Sequence, residues 1–191
     1  MSQFYRDPAH MTVFLENWIR EELETSSAAG GVTGLNGETD SAVVAALLRR
    51  VCGRENMLAV IMPCRNPGED ERLSRLLAGT LDIPIKKVDL TEVYETMAGG
   101  IEASCGKLPD WAREGIKPRL RMTALYSLAH SRNFLVFGER NKDDIFCGRF
   151  TKYGEVGADA LPLGDLLFGE VTALARYLGV PDEIIDRPGK G

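Results

Sequence analysis

Closely spaced cysteines are missing from this sequence, and so are the other marks of a secreted or membrane protein. Its four cysteines lie far apart and form no CxxC pair, so neither a zinc site nor a disulfide framework is indicated. The first ten residues lack a basic start followed by an apolar core, and no stretch approaches the roughly 20 apolar residues of a membrane span. We therefore predict a cytoplasmic protein with reduced thiols and no membrane contact.

An excess of positive charge is also missing. The chain holds 23 lysines and arginines against 28 aspartates and glutamates, which gives a net charge of −5. A field of this sign does not help the binding of nucleic acid or of an anionic membrane, so neither is expected as a partner. Any polyanion must be bound by local groups.

Nothing in the sequence divides the chain into smaller parts. It shows no internal repeat, low-complexity tract or long linker, and its 191 residues fit a single domain that spans residues 1–191. A domain of this size buries roughly 70% of the surface that its unfolded chain would expose. With 44% apolar and 27% charged residues, the composition is that of an ordinary globular protein.

Runs typical of buried strands alternate along the chain with apolar residues at helical spacing. Strands are predicted at 28–35, 57–62, 85–88 and 134–137, and helices at 11–23, 40–51, 70–81, 118–129 and 166–178. This order favours an α/β fold, with a doubly wound, mostly parallel sheet and helices on both faces. Since such sheets bind ligands beyond the carboxyl ends of their strands, the loops to consider are 34–41, 63–70 and 138–144.

The first of these loops reads Gly34-Leu-Asn-Gly-Glu-Thr-Asp-Ser41 and leads from a predicted strand into a predicted helix. At such a place free backbone N–H groups and the helix dipole attract a phosphate. The loop contains neither GxxxxGK[ST] nor GxGxxG, so it belongs to neither of those nucleotide-binding classes. Its other interpretation is a glycine turn in which Asp40 or Ser41 caps the helix.

Segments along nearly the whole chain resemble, in order, those of ammonia-dependent NAD synthetases, which are N-type ATP pyrophosphatases. The loop and the alanine-rich run behind it are similar to the family's (L/V)-S-G-G-(I/V)-D-S-A. The most specific further segment is Phe150-Thr-Lys-Tyr-Gly154. The other similar segments are 61–63, 117–122, 135–138, 141–142, 161–165 and 175–181. The resemblance implies an adenine nucleotide alpha hydrolase-like, Rossmann-like fold.

The resemblance also implies a reaction, an ATP-dependent amide ligation by a homodimer that uses Mg²⁺. The carboxylate of nicotinic acid adenine dinucleotide attacks the α-phosphate of ATP, and pyrophosphate leaves. Ammonia then displaces AMP from the acyl-adenylate and gives the amide of NAD. No glutaminase portion is recognisable, so ammonia would arrive free or from a partner.

Individual residues receive roles from the same resemblance. It implies catalytic roles for Asp40, Ser41 and Lys142, and Mg²⁺ binding by Asp40 and Asp144, whose carboxylates are hard oxygen ligands. Contacts with ATP and pyrophosphate are implied for Asn36, Gly37, Glu38, Thr39, Asp40, Ser41, Met62, Arg121 and Thr151. Contacts with the dinucleotide are implied for Arg119, Lys152, Tyr153 and Glu155. Without the motifs, the arginines would be solvated helix residues and 142–144 a charged turn.

Several residues of the first loop depart from the family pattern. Asn36, Glu38 and Thr39 stand where the family has serine, glycine and an aliphatic residue. A carboxylate about 4 Å from a phosphate oxygen costs on the order of 4 kcal/mol at an effective dielectric constant near 20, unless a cation or solvent screens it. If Glu38 needs a positive φ, roughly 1 kcal/mol is added.

The later segments depart as well. Gly138-Glu-Arg-Asn-Lys-Asp-Asp144 stands where the family commonly has Gly-Thr-Gly-Asn-Lys-Ser-Glu. Asp144 is one methylene shorter than the family's metal ligand, Glu139 replaces a threonine, and Glu155 replaces an aspartate. Residues 187–191 stand where family members continue, which leads us to expect a site that is open on one side.

These changes leave two hypotheses from different classes. The first is an active ligase. The second is a catalytically silent paralogue that binds a nucleotide, or pairs with an intact homologue, as a regulatory or structural subunit. The preserved segments 150–154 and 117–122 favour nucleotide binding, whereas the added carboxylates oppose tight binding of ATP.

Overall fold

In the computed structural model, which describes residues 6–65 and 68–187, four strands and nine helices are found. The strands are β1 (Gly30–Leu35), β2 (Met57–Ile61), β3 (Ile85–Lys87) and β4 (Phe134–Phe137). The helices are α1 (Pro8–Ser26), α2 (Thr39–Cys52), α3 (Gly68–Thr80), α4 (Thr91–Cys105), α5 (Asp110–Glu114), α6 (Ile116–His130), α7 (Lys142–Phe146), α8 (Phe168–Tyr177) and α9 (Asp182–Ile185). A 3-10 turn covers Glu155–Gly157. Each predicted strand and helix is present, with ends that differ by at most a few residues.

The four strands form one parallel sheet in the order β3-β2-β1-β4. The chain winds outward from β1 through β2 to β3 and then returns to place β4 on the other side of β1. The direction of winding therefore reverses between β1 and β4, and a crevice is expected beyond the carboxyl ends of these strands. The predicted doubly wound sheet is confirmed.

Two apolar cores cover the two faces of the sheet, and β2 contributes to both. Met57, Ala59 and Ile61 join the core that α1, α2, α3 and α8 cover. Leu58 and Val60 join the core beneath α4 and α6. Because successive side chains of a strand point to opposite faces, a strand buried on both faces is apolar throughout, as the continuous run in β2 is.

Glycine is required where β1 enters the sheet. A Cβ on Gly30 would overlap the carbonyl oxygen of Asn56, and the N–H of Gly31 donates to that same oxygen over 3.0 Å. The close approach fixes the position of β1 along β2, and therefore also the position of the loop that follows β1.

All four cysteines are free thiols, as predicted. Within residues 6–65 and 68–187, no helix has the length and apolar character needed to cross a membrane.

Candidate functional site

A cleft of about 330 Å³ opens beyond the carboxyl ends of β1, β2 and β4. All three loops that the sequence singled out contribute to its walls. The predicted site residues on these walls are Asn36, Glu38, Met62, Arg121 and Glu155. The crevice at the reversal of winding is thus the place where the predicted nucleotide-binding segments meet.

The loop after β1 turns at Gly37, not at Glu38. Gly37 has a φ of 74°, which favours glycine, whereas Glu38 is extended with a φ of −105°. The backbone strain considered for Glu38 is therefore absent. Its carboxylate remains in the cleft, so the electrostatic objection stands by itself.

Asn36 is the centre of this loop. Its Nδ2 donates to Glu139 over 2.9 Å and to Glu38 over 3.2 Å. Its Oδ1 accepts from the Ser41 hydroxyl over 2.7 Å and from the Glu38 N–H over 3.0 Å. One side-chain amide therefore joins both ends of the loop to the segment that follows β4.

The N-terminus of α2 has backbone N–H groups that can donate to a pyrophosphate. Glu38 occupies the N-cap position of α2 but makes no side-chain capping bond, whereas Asp7 and Asn141 cap α1 and α7. The N–H groups of a helix's first turn have no acceptor within the helix. Together with the helix dipole, they form an anion-binding position.

Two predicted loop residues direct their side chains away from the cleft. The Thr39 hydroxyl donates to the carbonyl of Ile184 over 3.3 Å. Ser41 is fully buried, and its hydroxyl also contacts the carbonyl of Glu38 over 3.0 Å. Both side chains support the loop, so contacts with a ligand at these positions would come from the backbone.

Arg187 ties the loop to α3. Its Nη1 donates to the carbonyl of Gly37 over 3.3 Å, and its Nη2 donates to Asp70 over 2.8 Å. The Asp70 side chain is only 8% exposed and belongs to the second predicted loop. This guanidinium therefore holds two walls of the cleft in one arrangement.

Asp40 and Asp144, the predicted metal ligands, flank Asn141. Asn141 Nδ2 donates to Asp40 over 2.8 Å, and its Oδ1 accepts from the Asp144 N–H over 3.0 Å. Burial raises the pKa of Asp40 to about 6, and the negative charges of Asp144 and Glu38 act in the same direction. A desolvated carboxylate beside other carboxylates is stabilised by a cation.

This donor set fits Mg²⁺ when phosphates complete the coordination. Among residues 6–65 and 68–187, no group of three or more His, Cys, Asp or Glu side chains is arranged to hold a metal. Mg²⁺ commonly binds through one or two carboxylates together with water and substrate phosphates, and Asp40 and Asp144, which flank Asn141 just outside the lining of the cleft, are compatible with this mode.

Arg140 is a site residue that the sequence pattern did not reveal. It lines the cleft and lies 3.3 Å from Asp144, 3.7 Å from Glu155 and 3.8 Å from Glu139. The sequence did contain an indication of this role, because Arg140 replaces a glycine of the family pattern in a loop that was expected to contact the ligand.

The predicted dinucleotide-binding residues are divided between two places. Glu155 lines the cleft, whereas Arg119 and Tyr153 line a separate surface depression of about 440 Å³. Met122 lines both, so the cleft and the depression adjoin. Lys152 places its Nζ 5.0 Å from the centre of the Tyr153 ring, and its carbonyl accepts from Arg119 over 3.1 Å.

Thr151 and Lys142 lie outside the lining of the cleft. The Thr151 N–H donates to Glu155 over 2.8 Å, which links segment 150–154 to the cleft wall. Lys142 opens α7 with an exposed side chain, and its N–H donates to the carbonyl of Leu166 over 2.9 Å. Residues 142–144, for which a charged turn was the alternative interpretation, form the first turn of α7, which Asn141 caps.

Glu139→Gln is expected to stabilise the protein at alkaline pH. Burial raises the pKa of Glu139 to about 8, and the charges of Glu38, Asp40 and Glu155 add to this, against Arg140. The folded state therefore holds a proton that the unfolded state releases near its ordinary pKa of 4.5. The wild type loses this stability as pH rises from about 5 to about 8, whereas glutamine loses none, a difference on the order of 3 kcal/mol.

Urea unfolding at about pH 5 and about pH 8 measures this difference. Glu21→Gln, on the exposed side of α1, is the control and should change the free energy of unfolding equally at both pH values. An equal effect of Glu139→Gln at both would contradict the expectation.

Comparisons with known proteins agree on one family. The model of the NAD synthase family matches residues 11–190. The NH(3)-dependent NAD(+) synthetase of Carboxydothermus hydrogenoformans is 41% identical over 91% of this chain and 71% of the relative. That of Finegoldia magna is 39% identical over 91% of this chain and 70% of the relative.

Solved structures agree as well. An NMN synthetase from Francisella tularensis superposes with a TM-score of 0.91 at 30% identity, over 96% of this chain and 76% of that one. An NH3-dependent NAD synthetase from Campylobacter jejuni gives a TM-score of 0.87 at 27% identity, over 95% and 77% of the two chains. With a matching family model over most of its length, relatives at about 40% identity and the same parallel sheet, the chain belongs to the NAD synthase family.

Proposed function

We propose that this protein is an ammonia-dependent NAD synthetase that forms NAD from nicotinic acid adenine dinucleotide, ATP and ammonia. The proposal rests on one observation: three loops meet in a single cleft where the strand order reverses between β1 and β4. One of these loops leads into the N-terminus of α2, which the side chain at its N-cap position does not cap. The two relatives that are NH(3)-dependent NAD(+) synthetases, at 39% and 41% identity, support the same reaction.

The first step joins the substrate carboxylate to AMP. A carboxylate oxygen attacks the α-phosphorus of ATP, a C–O–P linkage forms, and the bond to the β-phosphate breaks. The first-turn N–H groups of α2 would receive the pyrophosphate, whose negative charge suits a helix N-terminus. Arg121, which lines the cleft and donates to the carbonyl of Met62 over 3.2 Å, is placed to contact phosphate oxygens.

Asp40 and Asp144 would hold Mg²⁺, which when bound supplies positive charge to the triphosphate. Lys142, at the start of α7 beside Asn141, would add a mobile ammonium near the same phosphates. Ser41 would hold the loop through its bonds to Asn36 and Glu38, while the backbone donates.

The second step replaces AMP with ammonia. The nitrogen attacks the acyl carbon of the adenylate, the carbon–oxygen bond to AMP breaks, and a proton is lost from nitrogen. The nicotinate end must reach the α-phosphate, while the rest of the dinucleotide extends from the cleft. The adjoining depression at Arg119 and Tyr153 offers a stacking surface and a cation for that part.

A direct assay tests the proposal. Purified protein with the deamido dinucleotide, ATP, Mg²⁺ and ammonium should produce NAD and AMP in equal amounts, measured by chromatography. Formation of neither product would refute it and would favour the silent paralogue, which the carboxylates near Asn36 motivate. Relatives that are synthetases favour the active enzyme over that alternative.

We further propose that residues 1–191 act as one domain and pair as a homodimer in the cytoplasm, where free thiols stay reduced. One sheet serves both cores, so neither core can be separated from the other. The side chains of Phe146 and Tyr153 are 91% and 72% exposed, and a second copy would give them apolar contacts.

Light scattering after gel filtration is expected to give twice the chain mass of 21.0 kDa. The mass should stay constant on dilution from about 100 to about 1 μM, because an obligate interface resists dissociation at these concentrations. A species at the mass of one chain throughout the series would contradict the homodimer.

A further inference from the structure

Four residues that depart from the family pattern form one connected network in the cleft. Asn36 donates to the carboxylates of both Glu38 and Glu139, over 3.2 and 2.9 Å. Glu139 lies 3.8 Å from the guanidinium of its neighbour Arg140. Residues that lie up to 103 positions apart along the chain are therefore joined by direct contacts.

The charge around this network is strongly negative. Besides Glu38 and Glu139, the side chains of Asp40, Asp144 and Glu155 lie nearby, and charges within this group contribute to the raised pKa of Asp40 and of Glu139. Other acidic residues of the cleft have partners farther out, since Asp70 pairs with Arg187 and Glu71 with Lys87. Because the pKa of Glu139, about 8, keeps this side chain neutral near pH 7, a polyphosphate that enters the region meets the negative charges of Glu38, Asp40, Asp144 and Glu155, each of which would repel it.

Arg140 is the cation that these carboxylates share. Its guanidinium lies within 4 Å of three of them, at 3.3 Å from Asp144, 3.7 Å from Glu155 and 3.8 Å from Glu139. These contacts exceed the 2.7 to 2.9 Å or so of strong charge-assisted hydrogen bonds. Among the described residues, its buried Nε has no hydrogen-bond partner. The guanidinium is therefore held by charge more than by fixed hydrogen bonds and retains donors for an incoming anion.

Arg149 provides a comparison within the same site. It also reaches Asp144, over 3.3 Å, but its side chain is 58% exposed and it does not line the cleft. Two arginines thus contact one carboxylate, and only Arg140 faces the space that a nucleotide would occupy.

We propose that Asn36, Glu38, Glu139 and Arg140 act as one unit, in which Arg140 supplies the positive charge that allows this acidic cleft to bind the triphosphate of ATP. The inference rests on the proposed function for the identity of the nucleotide. It makes Arg140 a binding residue, and it makes Asn36 the link that holds Glu38 to Glu139, which in turn lies beside Arg140.

The unit predicts coupled effects of substitution. Removal of Arg140 alone takes a cation away from this acidic cleft and from the triphosphate that it would contact, and truncating one member of a close charge pair commonly weakens binding by about 30-fold or more. Removal of Glu38 and Glu139 at the same time lowers the repulsion between the cleft and the triphosphate, chiefly through the loss of the Glu38 charge. The triple variant is therefore expected to bind ATP better than the single variant does.

Calorimetric titration with ATP in excess MgCl₂ tests the inference on the full chain. Arg140→Ala is expected to weaken binding about 30-fold, and the control Arg149→Ala by less than about threefold. The triple variant Glu38→Gly, Glu139→Thr, Arg140→Ala should recover to within about fivefold of the wild type. Thermal unfolding of each variant shows that it is folded before titration.

Each outcome decides between the two proposals. Equal affinity of Arg140→Ala and wild type, or equal losses in Arg140→Ala and Arg149→Ala, would overturn the inference, as would a triple variant no better than the single one. Wild type that binds ATP in an Arg140-dependent way but forms no NAD would refute the proposed synthetase and leave the inference standing. Wild type that binds no ATP would overturn both.

Discussion

Asp40→Asn is expected to lower NAD formation by about 100-fold or more, which corresponds to about 2.7 kcal/mol of lost transition-state stabilisation, while the chain stays folded. The physical reason is the loss of a charged oxygen ligand beside Asp144, where Mg²⁺ would supply charge to the triphosphate. Asparagine keeps an oxygen that accepts from Asn141, so the 2.8 Å hydrogen bond can persist. Steady-state assays at saturating ATP with increasing MgCl₂ measure the loss.

The same substitution should not destabilise the fold above pH 6. The raised pKa of Asp40, about 6, means that its charged form costs folding free energy at neutral pH, a cost that asparagine removes. Asp110→Asn, on exposed α5 and away from the cleft, is the matched control and should retain full activity. An Asp40→Asn protein with wild-type activity at low Mg²⁺ would rule out the metal role.

Gly30→Ala is expected to reduce the free energy of unfolding by about 3 kcal/mol or more, or to prevent folding. The new Cβ would overlap the Asn56 carbonyl oxygen, which is backbone and cannot rotate away as a side chain can. Relief requires β1 to shift against β2, and such a shift would also move the loop at 36–41. Thermal unfolding should show a midpoint lower by roughly 10 °C.

Gly99→Ala is the control for that substitution. Gly99 lies inside α4, and a Cβ built on it meets nothing within 4 Å. Alanine there should stabilise the helix by about 0.5 to 1 kcal/mol. Destabilisation by Gly99→Ala, or tolerance of Gly30→Ala, would show that the close approach of β1 to Asn56 is not fixed.

The strands could be predicted because burial on both faces of the sheet makes them continuous apolar runs. Most helices could be predicted from apolar residues at helical spacing. The helix α4 was not predicted, and Gly99 and Gly100 in its interior explain why, since glycine is a poor helix former. Its buried contacts come from only two side chains, Tyr94 and Ala98. Tertiary packing against α6, which a local pattern does not contain, therefore supports this helix.

The position of the cleft could be predicted, but the contacts between its side chains could not. Strand order brings the loops after β1 and β4 together, and this much follows from a doubly wound sheet. The bond from Asn36 to Glu139, across 103 residues, depends on strand register and side-chain rotamers. For that reason the sequence did not indicate the contacts that join the added carboxylates, or the compensating role that we propose for Arg140.

Two hydrogen bonds of Arg187 connect the far end of the described chain to the walls of the cleft. Gly37 and Arg187 are 150 positions apart, yet a single guanidinium spans from the loop's carbonyl to the wall at Asp70. Any ligand that reorients the peptide after Gly37 must change the hydrogen bond that Arg187 donates to the Gly37 carbonyl. A spectroscopic label placed on α9 would then report occupancy without touching the nucleotide.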